Sequence, residues 1–175
     1  MASIAKLGHV GIHVRDLDRQ KAFYRDVLGL QVTDEDPKLG MVFMSSCPEE
    51  EHHELLLVPG RDTPEDSIYL QQIAFRCESF DDLIGFLERF SEHGVQLDKV
   101  VSHGNAVGIY FYDPEHNRCE VYWPTGLAAR QPYVEAIDLR QPPEEILRHI
   151  RESVAVHGHD GYVDESLLAG QNLDA

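Results

Sequence analysis

The chain repeats itself. Gly8-His9-Val10-Gly11-Ile12-His13-Val14 returns 63 positions later as Gln71-Gln72-Ile73-Ala74-Phe75-Arg76-Cys77. That offset superimposes His9 on Gln72, Asp16 on Ser79 and Phe23 on Phe86. A second echo, 66 positions apart, lays His53-Glu54-Leu55 over Cys119-Glu120-Val121. Duplication of one strand–helix–strands unit predicts two related half-sheets facing each other, with polar residues at matched strand positions converging on one cavity. A short chain can gather His and carboxylate groups from distant segments in this way.

Residues Leu7 to Val14 alternate as a strand does, with Val10, Ile12 and Val14 on one face and His9, Gly11 and His13 on the other. Asp16 is a suitable helix N-cap, and Gly29 a suitable stop. Strands are expected near 30–34, 40–45 and 52–58. In the second half, a strand at 70–77 leads into a capping box formed by Ser79 and Asp82. Gly94 closes that helix, and strands follow near 96–101, 107–112 and 118–123. The polar stretch from Pro59 to Ser67 reads as the linker. The expected fold is α+β: two paired βαβββ modules, residues 4–62 and 68–126, forming a cupped mixed sheet around a central cavity. A tail, residues 127–175, adds a helix near 143–155, where Pro142-Pro143-Glu144-Glu145 precedes Ile146, Leu147, Ile150 and Val154 at helical spacing.

If Asp113-Pro114-Glu115-His116-Asn117 is a hairpin loop, Tyr112 pairs with Arg118 and Tyr110 lies opposite Glu120 on the same face. Gly108 then falls opposite Tyr122 and leaves space beside that carboxylate.

Composition removes several function classes. Acidic residues outnumber basic ones 31 to 15, giving a formal charge of -16. Nucleic acid and anionic membrane surfaces need clustered Lys and Arg, so neither is expected as a partner. No apolar run approaches the about 20 residues of a membrane span, and Met1-Ala2-Ser3-Ile4-Ala5-Lys6 lacks a signal-peptide core. Cys47, Cys77 and Cys119 are odd in number and have no metal-finger spacing. They fit reduced thiols in a cytoplasmic protein.

Gly8-His9-Val10-Gly11-Ile12-His13-Val14-Arg15-Asp16-Leu17, Phe23-Tyr24 and Val27-Leu28-Gly29-Leu30 resemble the opening of vicinal oxygen chelate proteins. That superfamily includes glyoxalase I, bleomycin-resistance proteins, methylmalonyl-CoA epimerase and type I extradiol dioxygenases. The segment from Tyr112 to Val121 resembles its closing hairpin and terminal carboxylate. The resemblance spans residues 4–126 and is nearest to single-domain extradiol (catechol 2,3-dioxygenase-like) enzymes. It implies a metal held by His9, Gln72 and Glu120, with Glu54 as an alternative. It implies His53 as acid/base, Tyr110 as hydrogen-bond donor and His103 as a second active-site histidine. The metal implied is Fe(II), with Mn, Ni, Zn or Co as alternatives. The reaction implied is ring cleavage of a catechol-type diol by dioxygen. A glyoxalase- or epimerase-like isomerase and a non-enzymatic small-molecule binding protein are the alternative functions. A homodimer or higher homo-oligomer is expected from sheet-edge pairing and the tail.

The chain departs from the extradiol pattern at Gln72, where a second histidine is usual. Either the amide ligates, or His52 or His53 supplies the nitrogen, or the metal is not iron. The segment from His52 to Val58 is also ambiguous. As a strand it places His52 and Glu54 on one face and His53 and Leu55 on the other. The repeat favours Glu54 in the cavity; the extradiol resemblance favours His53. His103 lies in Ser102-His103-Gly104-Asn105, which reads as a flexible turn. His13 is expected behind His9, His93 and His116 at the surface, and His157-Gly158-His159-Asp160 in a loop.

Overall fold

A computed structural model describes residues 6–64, 67 and 70–167. Residues 4–5, 68–69 and 168–175, which the expected boundaries include, lie outside the described residues, as do 65–66 of the linker. The chain divides into two compact units, residues 1–69 with 113–117, and residues 70–112 with 118–175. The fold is mixed α+β, with one sheet in each unit and three α-helices among the described residues. No described helix is long and apolar enough to cross a membrane.

The first unit contains β1 (Val10–Val14), α1 (Leu17–Asp26), β2 (Gln31–Asp36), β3 (Met41–Ser45) and β4 (Leu55–Pro59). The sheet order is β1-β4-β3-β2, with β1 parallel to β4 and the other pairs antiparallel. Asp16 caps α1 by accepting from the Arg19 amide at 3.0 Å. Val14, Tyr24, Val42, Met44, Leu55 and Leu57 form the core, as the alternation of β1, β3 and β4 requires.

The second unit contains β5 (Ile73–Arg76), α2 (Phe80–Glu92), β6 (Leu97–Ser102), β7 (Ala106–Tyr112) and β8 (Arg118–Pro124). The tail adds β9 (Tyr133–Ala136), α3 (Pro143–His157), β10 (Tyr162–Val163) and a 3-10 turn, Glu165–Leu167. The order is β10-β9-β6-β7-β8-β5. Ser79 and Asp82 form the reciprocal capping box of α2. The sequence did not announce β9 and β10: they are short, and β9 is held by pairing with the distant β6.

The duplication extends to the irregularities. β2 shifts register between Val32 and Asp34, and β6 between Leu97 and Lys99. Each bulge precedes the residue paired with Phe43 or Tyr110, respectively. The strand ladders correct one equivalence read from the sequence. Gly11 pairs with Leu56, and its repeat mate Ala74 pairs with Glu120. Phe43 likewise pairs with Leu56, as Tyr110 pairs with Glu120. Leu56, not Glu54, is therefore the counterpart of Glu120.

β1 at Val10, β4 at Leu55 and β5 at Ile73 each start three residues later than expected. His9 and Gln72 each stand one residue before their strand. His52, His53 and Glu54 occupy an irregular segment before β4, so strand alternation does not govern where they point.

The hairpin is as counted: Tyr112 pairs with Arg118, Tyr110 with Glu120 and Gly108 with Tyr122. Its loop belongs to the first unit. Buried Asp113 accepts from the amides of Glu115 and Asn117, both at 2.9 Å, from Asn117 Nδ2 at 2.8 Å and from Tyr24 Oη at 3.0 Å. Glu115 accepts from the amides of Arg15 and Asp16 at 2.6 and 2.8 Å, at the start of α1.

Candidate functional site

The first unit gathers imidazoles. His53 stands beside His9 with ring centroids 4.3 Å apart, and Phe43 closes on His53 edge-on at 5.1 Å. His52 Nδ1 lies 2.9 Å from His53 Nδ1, so at least one of those two nitrogens carries no proton. Burial, together with neighbouring His9 and His52, pushes the His53 pKa below its ordinary value. His53 is therefore neutral at neutral pH and able to accept a proton. His9 itself is exposed.

Glu54 is committed elsewhere, to the residues at the end of β3. It accepts from the Ser46 amide at 2.8 Å and the Ser46 hydroxyl at 2.6 Å. Burial raises its carboxyl, but the bonds from Ser46 and Ser45 prevail and hold it below the ordinary range. Of the two residues left open by the sequence, His53 is the one set next to His9. His13 donates through Nδ1 to the Pro59 carbonyl at 3.2 Å, which a carbonyl can only accept. His93 and His116 are exposed, as expected. His157 stacks on Tyr162 at 4.8 Å.

The second unit gathers Gln72, His103, Tyr110, Arg118 and Glu120. Glu120 is 5 % exposed. Its side chain lies over Gly108, where an added Cβ would come within 2.3 Å of Oε1. The space expected beside the carboxylate is thus filled by the carboxylate itself. Gln72 Nε2 donates to Glu120 Oε2 at 2.9 Å, and its Oε1 faces Arg118 Nη1 at 3.4 Å. Burial pushes the Glu120 carboxyl above its ordinary value in spite of hydrogen bonds from Tyr110 and Gln72 and the nearby charges of His103 and Arg118. Burial first, then the charge of Glu120, pushes the Tyr110 phenol well above its ordinary value. Tyr110 therefore stays protonated and acts as a donor.

His103 Nε2 lies 3.0 Å from Tyr110 Oη, and His103 Nδ1 lies 2.9 Å from the Tyr133 carbonyl. Because a carbonyl only accepts, Nδ1 carries the proton. In neutral His103, Nε2 can then only accept, and it shares the single Tyr110 proton with Glu120 as a second acceptor. In the cation, Nε2–H donates to Tyr110, which leaves the phenol proton for Glu120.

Arg118 was not singled out in the sequence. Its guanidinium carbon stacks 4.3 Å from the Tyr110 ring centroid, and it pairs with Asp98 at 2.8 Å. It lies two residues before Glu120 on the same face of β8, so strand alternation contained the signal. Lys99 lies 5.3 Å from the same ring. The turn at His103 is not the flexible segment expected. Thr125 bonds the carbonyls of Gly104 and Asn105 at 2.6 and 3.0 Å, and Gln131 bonds that of His103 at 2.9 Å.

The expected ligands divide between the units, His9 in the first and Gln72 with Glu120 in the second. Among the described residues, no group of three or more His, Cys, Asp or Glu side chains is gathered for a metal ion. The expected set contains only two such residues and an amide. Glu120 fits a cation: its charge is buried and incompletely offset by its hydrogen bonds. Gln72 turns its nitrogen towards Glu120, and rotating the amide by half a turn would present its oxygen instead.

The model of the Glyoxalase/Bleomycin resistance protein/Dioxygenase superfamily matches residues 6–121. Among curated relatives, the chain is 30% identical over 126 residues to biphenyl-2,3-diol 1,2-dioxygenase 3 of Rhodococcus globerulus, covering 69% of this chain and 64% of the relative. It is 28% identical over 125 residues to the manganese-dependent 2,3-dihydroxybiphenyl 1,2-dioxygenase of Geobacillus genomosp. 3, covering 70% and 38%. The chain thus spans less than two thirds of the length of either relative. A structure of the fosfomycin resistance protein FosX from Listeria monocytogenes with Mn(II) and sulfate shares the fold at TM-score 0.56 and 22% identity, covering 70% of this chain and 92% of that one. With a family match over most of its length and a duplicated βαβββ plan, this chain belongs to the glyoxalase/bleomycin resistance/dioxygenase superfamily, whose members are mostly metalloenzymes.

Proposed function

We propose that the chain acts as a divalent-metal-dependent extradiol dioxygenase on a catechol-type aromatic diol, with dioxygen as co-substrate. The observation that carries this reading is the hydrogen-bonded line from His103 through Tyr110 to Glu120 and Gln72. The first unit's neutral His53 and the dioxygenase relatives support it. Fe(II) is the proposed metal, with Mn(II) the first substitute. The proposed ligands are those the sequence suggested: His9, Glu120 and Gln72 through its amide oxygen. When bound, the ion would supply Lewis acidity that lowers the pKa of the diol hydroxyls.

The chain's own residues do the rest. His53 takes a proton from the diol and later returns it. Tyr110, kept protonated by burial, donates to negative charge developing on substrate oxygen. His103, accepting through Nε2, orients that phenol. Arg118 holds the Tyr110 ring from its face. Glu54, tied to Ser46 and out of register with Glu120, is poorly placed to serve as an isomerase base. A homo-oligomer in the cytoplasm, with neither nucleic acid nor membrane as partner, completes the proposal.

The test is anaerobic loading with Fe(II) or Mn(II), confirmed by elemental analysis, followed by air and a panel of catechols that includes 2,3-dihydroxybiphenyl. Oxygen uptake with a yellow ring-cleavage product is expected, and His53→Gln should lower kcat by about 10²–10⁴-fold. Metal-loaded protein that consumes no oxygen with any of them overturns the reading.

A further inference from the structure

The tail beyond residue 126 lies outside the duplication, and within the second unit it encloses the turn that carries His103. Gly104, at φ +70°, has no room for a side chain: a Cβ there would lie 2.5 Å from Ala129 Cβ, 3.2 Å from Val154 Cγ2 and 3.4 Å from Tyr133 Cγ. All three of those residues belong to the tail. Gln131 joins the two segments from both ends of its amide. Its Nε2 donates to the His103 carbonyl at 2.9 Å, and its Oε1 accepts from the Tyr133 amide at 3.1 Å. Tyr133 is fully buried, and its hydroxyl lies 2.6 Å from Ser153 Oγ on α3. The strand carrying the Tyr133 carbonyl is thereby fixed through β9 pairing on one side and α3 on the other.

We propose that the C-terminal tail positions the active-site histidine: the Tyr133 carbonyl, set in place by Gln131, locks His103 as the Nδ1–H tautomer and aims Nε2 at Tyr110. The tautomer of an imidazole is set by the hydrogen bond at its other nitrogen. With Nδ1 committed to a carbonyl, the only group His103 offers towards Tyr110 in its neutral form is an acceptor. Without that carbonyl the proton is free to settle on Nε2. The ring would then donate to Tyr110, and the phenol could no longer hand a proton to it. Gln131 and Tyr133 are positioning residues, since neither touches Tyr110 or Glu120 in any described contact. The catalytic meaning of this arrangement rests on the dioxygenase reading; the tautomer itself does not.

The experiment uses full-length, metal-free protein labelled with ¹⁵N-histidine. Long-range proton–nitrogen spectra are recorded at alkaline pH, and the His103 signals are identified by their loss in His103→Asn. Wild type is expected to show His103 with Nδ1 protonated and Nε2 bare. Gln131→Ala and Gly104→Ala, which loosen or wedge the tail without altering the imidazole, should each yield a mixture containing the Nε2–H form. In metal-loaded protein they should lower kcat about tenfold with little change in KM. A wild-type His103 found as Nε2–H overturns the proposal, whether or not either variant folds. So does an unchanged tautomer in a variant whose circular dichroism and melting remain native. Because the spectra need neither metal nor substrate, a protein with no ring-cleavage activity would still reveal the tautomer, so failure of one reading is separable from failure of the other.

Discussion

Glu120 can lie across β7 only because residue 108 has no side chain. In Gly108→Ala the new methyl would intrude to 2.3 Å from Oε1, the far end of the Glu120 side chain, so the carboxylate must swing away. The bonds to Gln72 and Tyr110 would go with it. Overpacking of this kind costs about 1–3 kcal/mol, and calorimetric titration should show divalent-metal affinity at least about tenfold weaker in a protein that still folds. Glu54 makes a different prediction. Its folded pKa is depressed, so the stability it lends is present above the ordinary carboxylate pKa and is lost as pH falls through the folded value. Glu54→Gln should be less stable than wild type at neutral pH, and the difference should shrink through the acid range in urea melts at several pH values. The roles of these two glutamates were not separable in the sequence. Matching residue types equated Glu54 with Glu120, whereas the strand ladders of the two units make Leu56 its counterpart. Side-chain identity says nothing about register, and strand alternation does not reach a residue that precedes the strand.

Among the elements, the β7–β8 hairpin was the most legible. A five-residue loop leaves one way to count inward from Tyr112 and Arg118, and the count delivered the Tyr110–Glu120 pair. Helix starts were legible too, because Asp16 and the Ser79/Asp82 box are local chemistry. The pairing of β9 with β6 was not, since it is non-local and Tyr133–Ala136 is only four residues long. That gap also hid what orders the His103 turn. The hairpin loop has its own energetic centre in Asp113, which collects three bonds from within the loop and one from Tyr24 on α1. Asp113→Ala would leave buried donors without an acceptor, at a cost of about 3 kcal/mol. Asn should recover part of that, because its carbonyl oxygen can still accept. The expected signature is a lower urea midpoint with an unchanged slope, and a wild-type midpoint in the alanine variant would refute this account of the loop.

At the scale of the whole molecule, the duplicated plan has diverged in chemistry. Where the second unit pairs Tyr110 with Glu120, the first pairs Phe43 with Leu56 and supplies imidazoles from just outside its strands. The chain also carries a formal charge of -16, which repels anionic ligands and raises the local concentration of cations. A cation bound only by the folded state stabilises it through mass action. Free metal at a hundredfold excess over Kd contributes about 2.7 kcal/mol, or roughly 5–10 °C in Tm for a chain of this size. Nonspecific screening of the acidic surface would also raise Tm, but it would do so equally for any divalent ion and for any single-site variant. The ligand assignment predicts otherwise. Mn(II) or Fe(II), the latter under anaerobic conditions, should raise the wild-type Tm more than Mg(II) or Ca(II), because imidazole favours transition metals over the alkaline earths. Glu120→Gln and His9→Ala should each abolish that excess while keeping the screening component. If His9→Ala retains the full shift, the first unit contributes no ligand and the proposed His–Gln–Glu set is wrong; if Glu120→Gln retains it, the buried carboxylate is structural.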